Sequence, residues 1–146
     1  MITPENFEAD LDNLDQLGIM IRLKPTGDFE GGTALLLPHK QGPPVHYHPG
    51  QAEIFKVIQG ELEVFREDRW IRVSEGQKLL VCKNTPHTFR NNTDTPVVFD
   101  FAVTPKLGLT EYLLALDGLA CNGKLSAGRG IKSVLYYALL IQQYTH

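Results

Sequence analysis

Cysteine is scarce in this 146-residue chain: there are two, Cys82 and Cys121. They are too few for a disulfide framework, and no CxxC pair suggests a zinc ribbon or a redox motif. Cations are also in short supply, with 14 Lys and Arg against 17 Asp and Glu, and they form no basic run. Nucleic acid or an anionic membrane is therefore not expected as the main partner. No segment reads as a helix-turn-helix. The first fifteen residues hold Glu5, Glu8, Asp10, Asp12 and Asp15 but no Lys or Arg, which excludes a secretory or transit leader. The most apolar stretch, Ile131 to Ile141, contains Lys132 and falls well short of the about 20 apolar residues of a spanning helix. Internal repeats and low-complexity segments are absent. What remains is one domain, with the cytoplasm as the default location and a core large enough to need no disulfides. Its 42% hydrophobic and 21% charged content is ordinary for such a domain.

What the chain does have is a change of pattern along its length. Residues 1–19 form an acidic segment, with Thr3-Pro4-Glu5 reading as the start of a short helix. Its acids are expected to be a solvated face. Residues 20–105 hold short apolar or alternating runs. These are Met20–Leu23, Thr33–Leu37, Val45–His48, Glu53–Gln59, Glu61–Arg66, Trp70–Val73, Lys78–Lys83, His87–Arg90 and Val97–Val103. Turn residues separate them, among them Gly42-Pro43-Pro44, Pro49-Gly50, Gly60, Glu67-Asp68 and Asn84–Pro86. Many short strands with regular turn signals predict an antiparallel sandwich or barrel. Residues 106–146 form a helical extension, with helices over Leu109–Ala120 and Ile131–Gln143. The second is apolar almost all round and must pack on the barrel wall, the barrel mouth or a second subunit.

Within the strands lies a set of metal-ligand side chains. His46 and His48 are two apart, so in an extended segment both imidazoles point one way. Pro49-Gly50-Gln51-Ala52 reads as a turn. Glu53 then opens the next strand, where its carboxylate can reach the same point, and His87 arrives from another strand. Three histidines and one carboxylate suit one divalent transition metal per chain and leave positions open for water or substrate. Iron, manganese, nickel, zinc and copper all accept this set. Phe55 and Val57 share the face of Glu53, and Phe89 shares that of His87, so these three are expected to line the cavity beside the metal. Asn91 either orients the site or closes a turn. His39 and His146 lie outside the pattern and are not expected to be ligands. Cys82 is read as a small packing residue.

The segment His46 to Gly60 reads HxH-x4-E-x6-G, and a second segment carries Gly76, His87 and Asn91. Together they resemble the two signature motifs of the cupin superfamily over roughly residues 33–104, in the small, single-domain, quercetin-dioxygenase-like form. Lys40 stands where the first motif has its leading glycine, with Gly42 nearby. Cys82 and Asn84 replace a proline and a glycine of the second motif. Every ligand is spared, and asparagine tolerates the left-handed backbone that a glycine there would adopt. The resemblance implies an all-β double-stranded β-helix, or jelly roll, with the metal inside near one mouth and a tendency to form homodimers.

Mainly through its likeness to quercetin-dioxygenase-like cupins, the resemblance implies a metal-dependent oxidoreductase of dioxygenase type acting on a small organic molecule, with Glu53 as a ligand or as a base. The apolar lining favours an aromatic or flavonoid-like substrate. A non-redox isomerase, lyase or decarboxylase is the second possibility. A small-ligand-binding module without turnover is the third, because a fold does not determine its chemistry.

Overall fold

The computed structural model describes residues 1–12, 14, 17–24 and 27–121. Among the described residues, eight strands precede one helix. They are β1 (Ile19–Leu23), β2 (Glu30–Leu36), β3 (Ala52–Gln59), β4 (Glu61–Arg66), β5 (Arg69–Ser74), β6 (Lys78–Val81), β7 (His87–Arg90) and β8 (Val97–Thr104), followed by α1 (Leu109–Cys121). Every strand pairing is antiparallel. One sheet has the order β1-β2-β8-β3-β6 and the other β5-β4-β7. This is the expected jelly roll.

The period-2 patterns dictate which faces meet. In β3, Glu53, Phe55 and Val57 are buried while Lys56 and Ile58 are exposed. Inward residues line up across the large sheet in rows. One row runs Leu23, Gly32, Phe101, Phe55, Leu79, and the next runs Ile21, Ala34, Phe99, Val57. Leu62, Val64 and Val73 close the core from the small sheet. The hairpin joining β4 to β5 turns through Glu67 and Asp68, both at positive φ (53° and 64°). That is the primed turn geometry whose twist matches paired strands.

Three local expectations need correction. The short helix expected from Thr3 is a turn. Asn6 N donates to Thr3 O at 3.2 Å, while the Asn6 side-chain carbonyl takes the Thr3 N–H at 2.7 Å. A competing side chain thus holds the backbone in a single turn. The segment then straps the outer face of the large sheet. Phe7 packs with Leu35 and Val98, and Ile2 exchanges two hydrogen bonds of 2.8 Å with Gln59. This cover explains why all seven residues of β2 are buried. Glu5 and Glu8 stay in solvent, while Leu11, Leu14 and Leu17 enter the core.

The strand expected over Val45–His48 is not one: the segment pairs only through isolated bridges, Gln41 to Arg90 and His46 to His87. Between them Pro43 and Pro44 have no N–H to give to a ladder. Cys82 is exposed, so it is not a packing residue.

Helix α1 forms where expected, with Tyr112, Leu113, Leu116 and Ala120 buried. Its start is fastened by Glu30, whose carboxylate accepts the N–H groups of Leu107, Gly108 and Leu109 at 3.1 Å each and of Thr110 at 3.4 Å. These are the orphan donors of a helix N-terminus, met by a full negative charge. The helix expected over Ile131–Gln143 lies outside the described residues.

Candidate metal centre

The four expected ligand residues converge at one end of the barrel. Glu53 stands near the start of β3 and His87 at the start of β7, while His46 and His48 sit in the irregular segment before β3. The imidazole centroids of His46, His48 and His87 lie 4.6–5.1 Å apart. One ring nitrogen from each falls within 4.8 Å of the others, which suits a shared ion. Glu53 Oε2 lies 2.9 Å from His87 Nε2 and 3.4 Å from His48 Nε2. The backbone builds this cluster directly. His46 N donates to His87 O and His87 N to His46 O, at 3.1 and 2.8 Å, so two ligand-type residues are tied back to back. Asn84 N donates to His48 O at 3.0 Å, and Asn84 holds the left-handed φ of 65° that the sequence anticipated.

Hydrogen bonding selects the nitrogens that face inward. His46 Nδ1 lies 2.8 Å from Pro44 O, and His87 Nδ1 lies 2.8 Å from Thr85 O. A carbonyl accepts only, so Nδ1 carries the proton in both rings and Nε2 is left toward the cluster. Metal-binding histidines are commonly oriented in this way. Burial pulls His46 down to about 4, and repulsion from His87 adds to it. Burial pushes the Glu53 carboxyl up, but hydrogen bonds from His48 and His87 outweigh it and hold the group at about 2. Burial also works against the His87 imidazolium, yet the Glu53 hydrogen bond and charge hold it above the ordinary histidine range. The result is a buried carboxylate that needs a positive neighbour. A divalent cation held by the three imidazoles would be such a neighbour. His48 Nδ1 is buried without a hydrogen-bond partner. The three histidines are therefore placed to share a transition metal, with Glu53 against two of them.

The cupin domain model matches residues 32–104. The chain belongs to the cupin family. No curated protein matches it. Many solved structures share the fold of this cupin, and three serve as examples. One is the Cupin_2 domain of an XRE family transcriptional regulator from Enterobacter cloacae (23% identity, TM-score 0.55, 60% of this chain and 96% of that one). Another is described as a sugar phosphate isomerase of the cupin superfamily from Silicibacter pomeroyi (21%, 0.58, 70% and 68%). The third is a predicted oxalate decarboxylase from Thermotoga maritima (15%, 0.56, 60% and 80%). At these identities the likeness concerns the fold.

The histidine cluster of this cupin opens into a cavity of about 100 Å³. Phe55 and Phe89 line it as expected, whereas Val57 is buried in the core without facing it. Several lining groups could not be foreseen from motif spacing: Phe99 and Phe101 on β8, and Leu109, Tyr112, Leu113 and Leu116 on α1. The alternation of β8 carried a signal for the two phenylalanines. The helix residues reach the cavity only because α1 folds back over the barrel. Beyond the four ligand-type residues, the polar side chains of the lining are Gln41 and Tyr112; no Lys or Arg lines it among the described residues. Asn91 serves a turn. Its Nδ2 donates to Leu36 O and Thr95 O, and its Oδ1 accepts from Thr93. His39 pairs with Asp94 at the surface, and His146 lies outside the described residues.

Proposed function

We propose that this cupin is a metal-dependent oxidoreductase of dioxygenase type that acts on a small organic molecule. The observation that supports it best is a set of three imidazoles, with one carboxylate against two of them, at the end of a largely apolar cavity. His46, His48, Glu53 and His87 would hold one divalent transition metal. Such a metal, if redox-active, supplies a place for oxygen chemistry beside a bound enol, phenol or carboxylate. The protein's own contribution is orientation and exclusion of water. Pro44 and Thr85 fix two imidazoles, and the phenylalanine wall leaves little for water to hydrogen-bond to on that side. Glu53 is the residue assigned the catalytic role, as a ligand that can also take the substrate proton. The free, exposed Cys82 and Cys121 suit a reducing compartment such as the cytoplasm. A homodimer belongs to the same proposal, with light scattering as its check. No helix among the described residues is long and apolar enough to cross a membrane.

The test couples metal analysis of freshly purified protein to an oxygen-uptake trace. We expect about one metal per chain, lost in the double variant His46→Ala, His48→Ala. Iron-reconstituted protein should consume oxygen with a phenolic or enolic substrate. Full metal content in the double variant would remove the site assignment. Oxygen uptake at background across such a panel would shift the reading to a non-redox isomerase, lyase or decarboxylase, or to ligand binding without turnover.

A further inference from the structure

We infer that the cavity takes uncharged molecules with an apolar body of single-ring size that carry one oxygen donor toward the histidines. The inference rests on the metal-site reading for the donor end but on the barrel wall for everything else. Along β3, Glu53 and Phe55 are two residues apart, as are Phe101 and Phe99 along β8, and each such step is about 6.6 Å. The register sets Phe55 opposite Phe101, and Phe99 lies in the next inward row beside Ala34. Away from the carboxylate a guest thus meets a mostly aromatic and aliphatic wall, in which Gln41 and Tyr112 are the polar side chains. The rings are mutually packed. Phe99 lies 5.2 Å from Phe89, 6.0 Å from Phe55 and 6.5 Å from Phe101, so the wall is firm rather than adaptable.

Size decides between candidate guests. A cavity of about 150 Å³ lined by Leu, Ile and Phe accommodates benzene. The space here, about 100 Å³, suits a ring of that size. A three-ring flavonoid would extend out of it, which narrows the broader aromatic expectation. Charge decides as well. Burying an ion without a partner is costly, and among the described lining residues no Lys or Arg is present to meet a phosphate or a second carboxylate. The histidine end holds four of the six polar side chains in the described lining, the others being Gln41 and Tyr112, so the guest's oxygen donor is directed there.

Gly42 makes the wall sensitive to small changes. A Cβ there would come within 2.6–2.8 Å of the Phe89 ring, so Gly42→Ala must displace that ring. Ala34→Leu instead adds carbon directly to the lining.

Isothermal titration of phenol, quercetin and glucose 6-phosphate tests the inference, using chelator-treated and metal-loaded full-length protein. Phenol should bind both forms, more tightly with metal present. Ala34→Leu, and separately Gly42→Ala, should weaken phenol by about tenfold or more, with circular dichroism confirming the fold. Quercetin and glucose 6-phosphate should bind more weakly than phenol. Tighter binding of either, or phenol affinity unchanged in both folded variants, would overturn the inference. Where a variant does not fold, the ranking of the three probes on the wild-type protein decides. Protein that binds phenol but takes up no metal supports this inference and defeats the metal reading. Protein that takes up metal but does not bind phenol does the reverse.

Discussion

His87 is held from three directions. Its Nδ1 faces Thr85 O, its Nε2 faces Glu53, and its backbone exchanges two hydrogen bonds with His46. Glu53 is the sole negative donor in the cluster, so Glu53→Gln should cut metal affinity by more than the roughly 10–100-fold typical of losing an outer-sphere partner. Competition against a fluorescent chelator would measure it, and near-wild-type affinity would remove Glu53 from the ligand set. Phe99 carries a different load. It is fully buried at the meeting point of three other rings. Phe99→Ala should cost about 3–5 kcal/mol in urea denaturation, because the firm wall cannot collapse into the space. A cost under about 1 kcal/mol would show a wall softer than the packing implies. The two residues also differ in legibility. Ligand-type side chains are few and their spacing is local, so His46, His48, Glu53 and His87 stand out in the chain. Phe99 is one apolar residue among many on β8, and its importance comes from neighbours that sequence spacing does not bring together.

At the scale of elements, the joint between β2 and α1 controls how the cavity is roofed. Glu30 lies in the same inward row as Val103 and Glu53, so the carboxylate that fastens α1 and the one in the metal cluster share one end of the barrel. Burial pushes the Glu30 carboxyl up, but hydrogen bonds from Leu109, Thr110 and Gly108 outweigh it and lower it below 4.5. A carboxyl lowered on folding contributes its stability in full above its unfolded value. That contribution is lost as pH falls through the lower folded value. Glu30→Gln should therefore destabilise the protein by about 1–2 kcal/mol near neutral pH and by progressively less toward pH 3. Denaturation midpoints at several pH values would show it, and a cost that does not shrink in acid would assign the effect to shape rather than charge. Asn84 tests the turn that carries His48. Asn84→Gly should be tolerated, whereas Asn84→Val should cost about 1–2 kcal/mol, since its φ of 65° penalises a branched side chain. Elements with clean alternation, such as β3 and β8, were legible from period alone. The failures lay where a local competitor decided the backbone. Asn6 turned an expected helix start into a turn, and Pro43 and Pro44 denied His46 a strand ladder.

On the scale of the whole molecule, the candidate site joins parts of the chain that are otherwise held by separate ladders. Glu53 belongs to the large sheet, His87 to the small one, and His46 and His48 to the segment between β2 and β3. The barrel itself was legible in the sequence, because strand-length runs and turn residues alternate through residues 20–105. How its ends close was not. The N-terminal strap and α1 are placed by packing with partners far away in the chain, Phe7 against Val98 and Glu30 against the start of α1. A metal shared by both sheets would bind the folded barrel and not the unfolded chain, so it must raise the unfolding temperature by mass action. At a free concentration of about 100 times Kd the gain is about 2.7 kcal/mol, or roughly 5–10 °C for a domain of this size. Chelator-treated protein titrated with Fe(II), Mn(II), Ni(II), Zn(II) or Cu(II) in a thermal melt would rank the metals without any assumption about substrate. The double variant His46→Ala, His48→Ala should melt at a temperature that no metal changes. A shift of equal size in that variant would place the binding elsewhere on the molecule. A wild-type protein that no metal stabilises would remove the metal-site assignment.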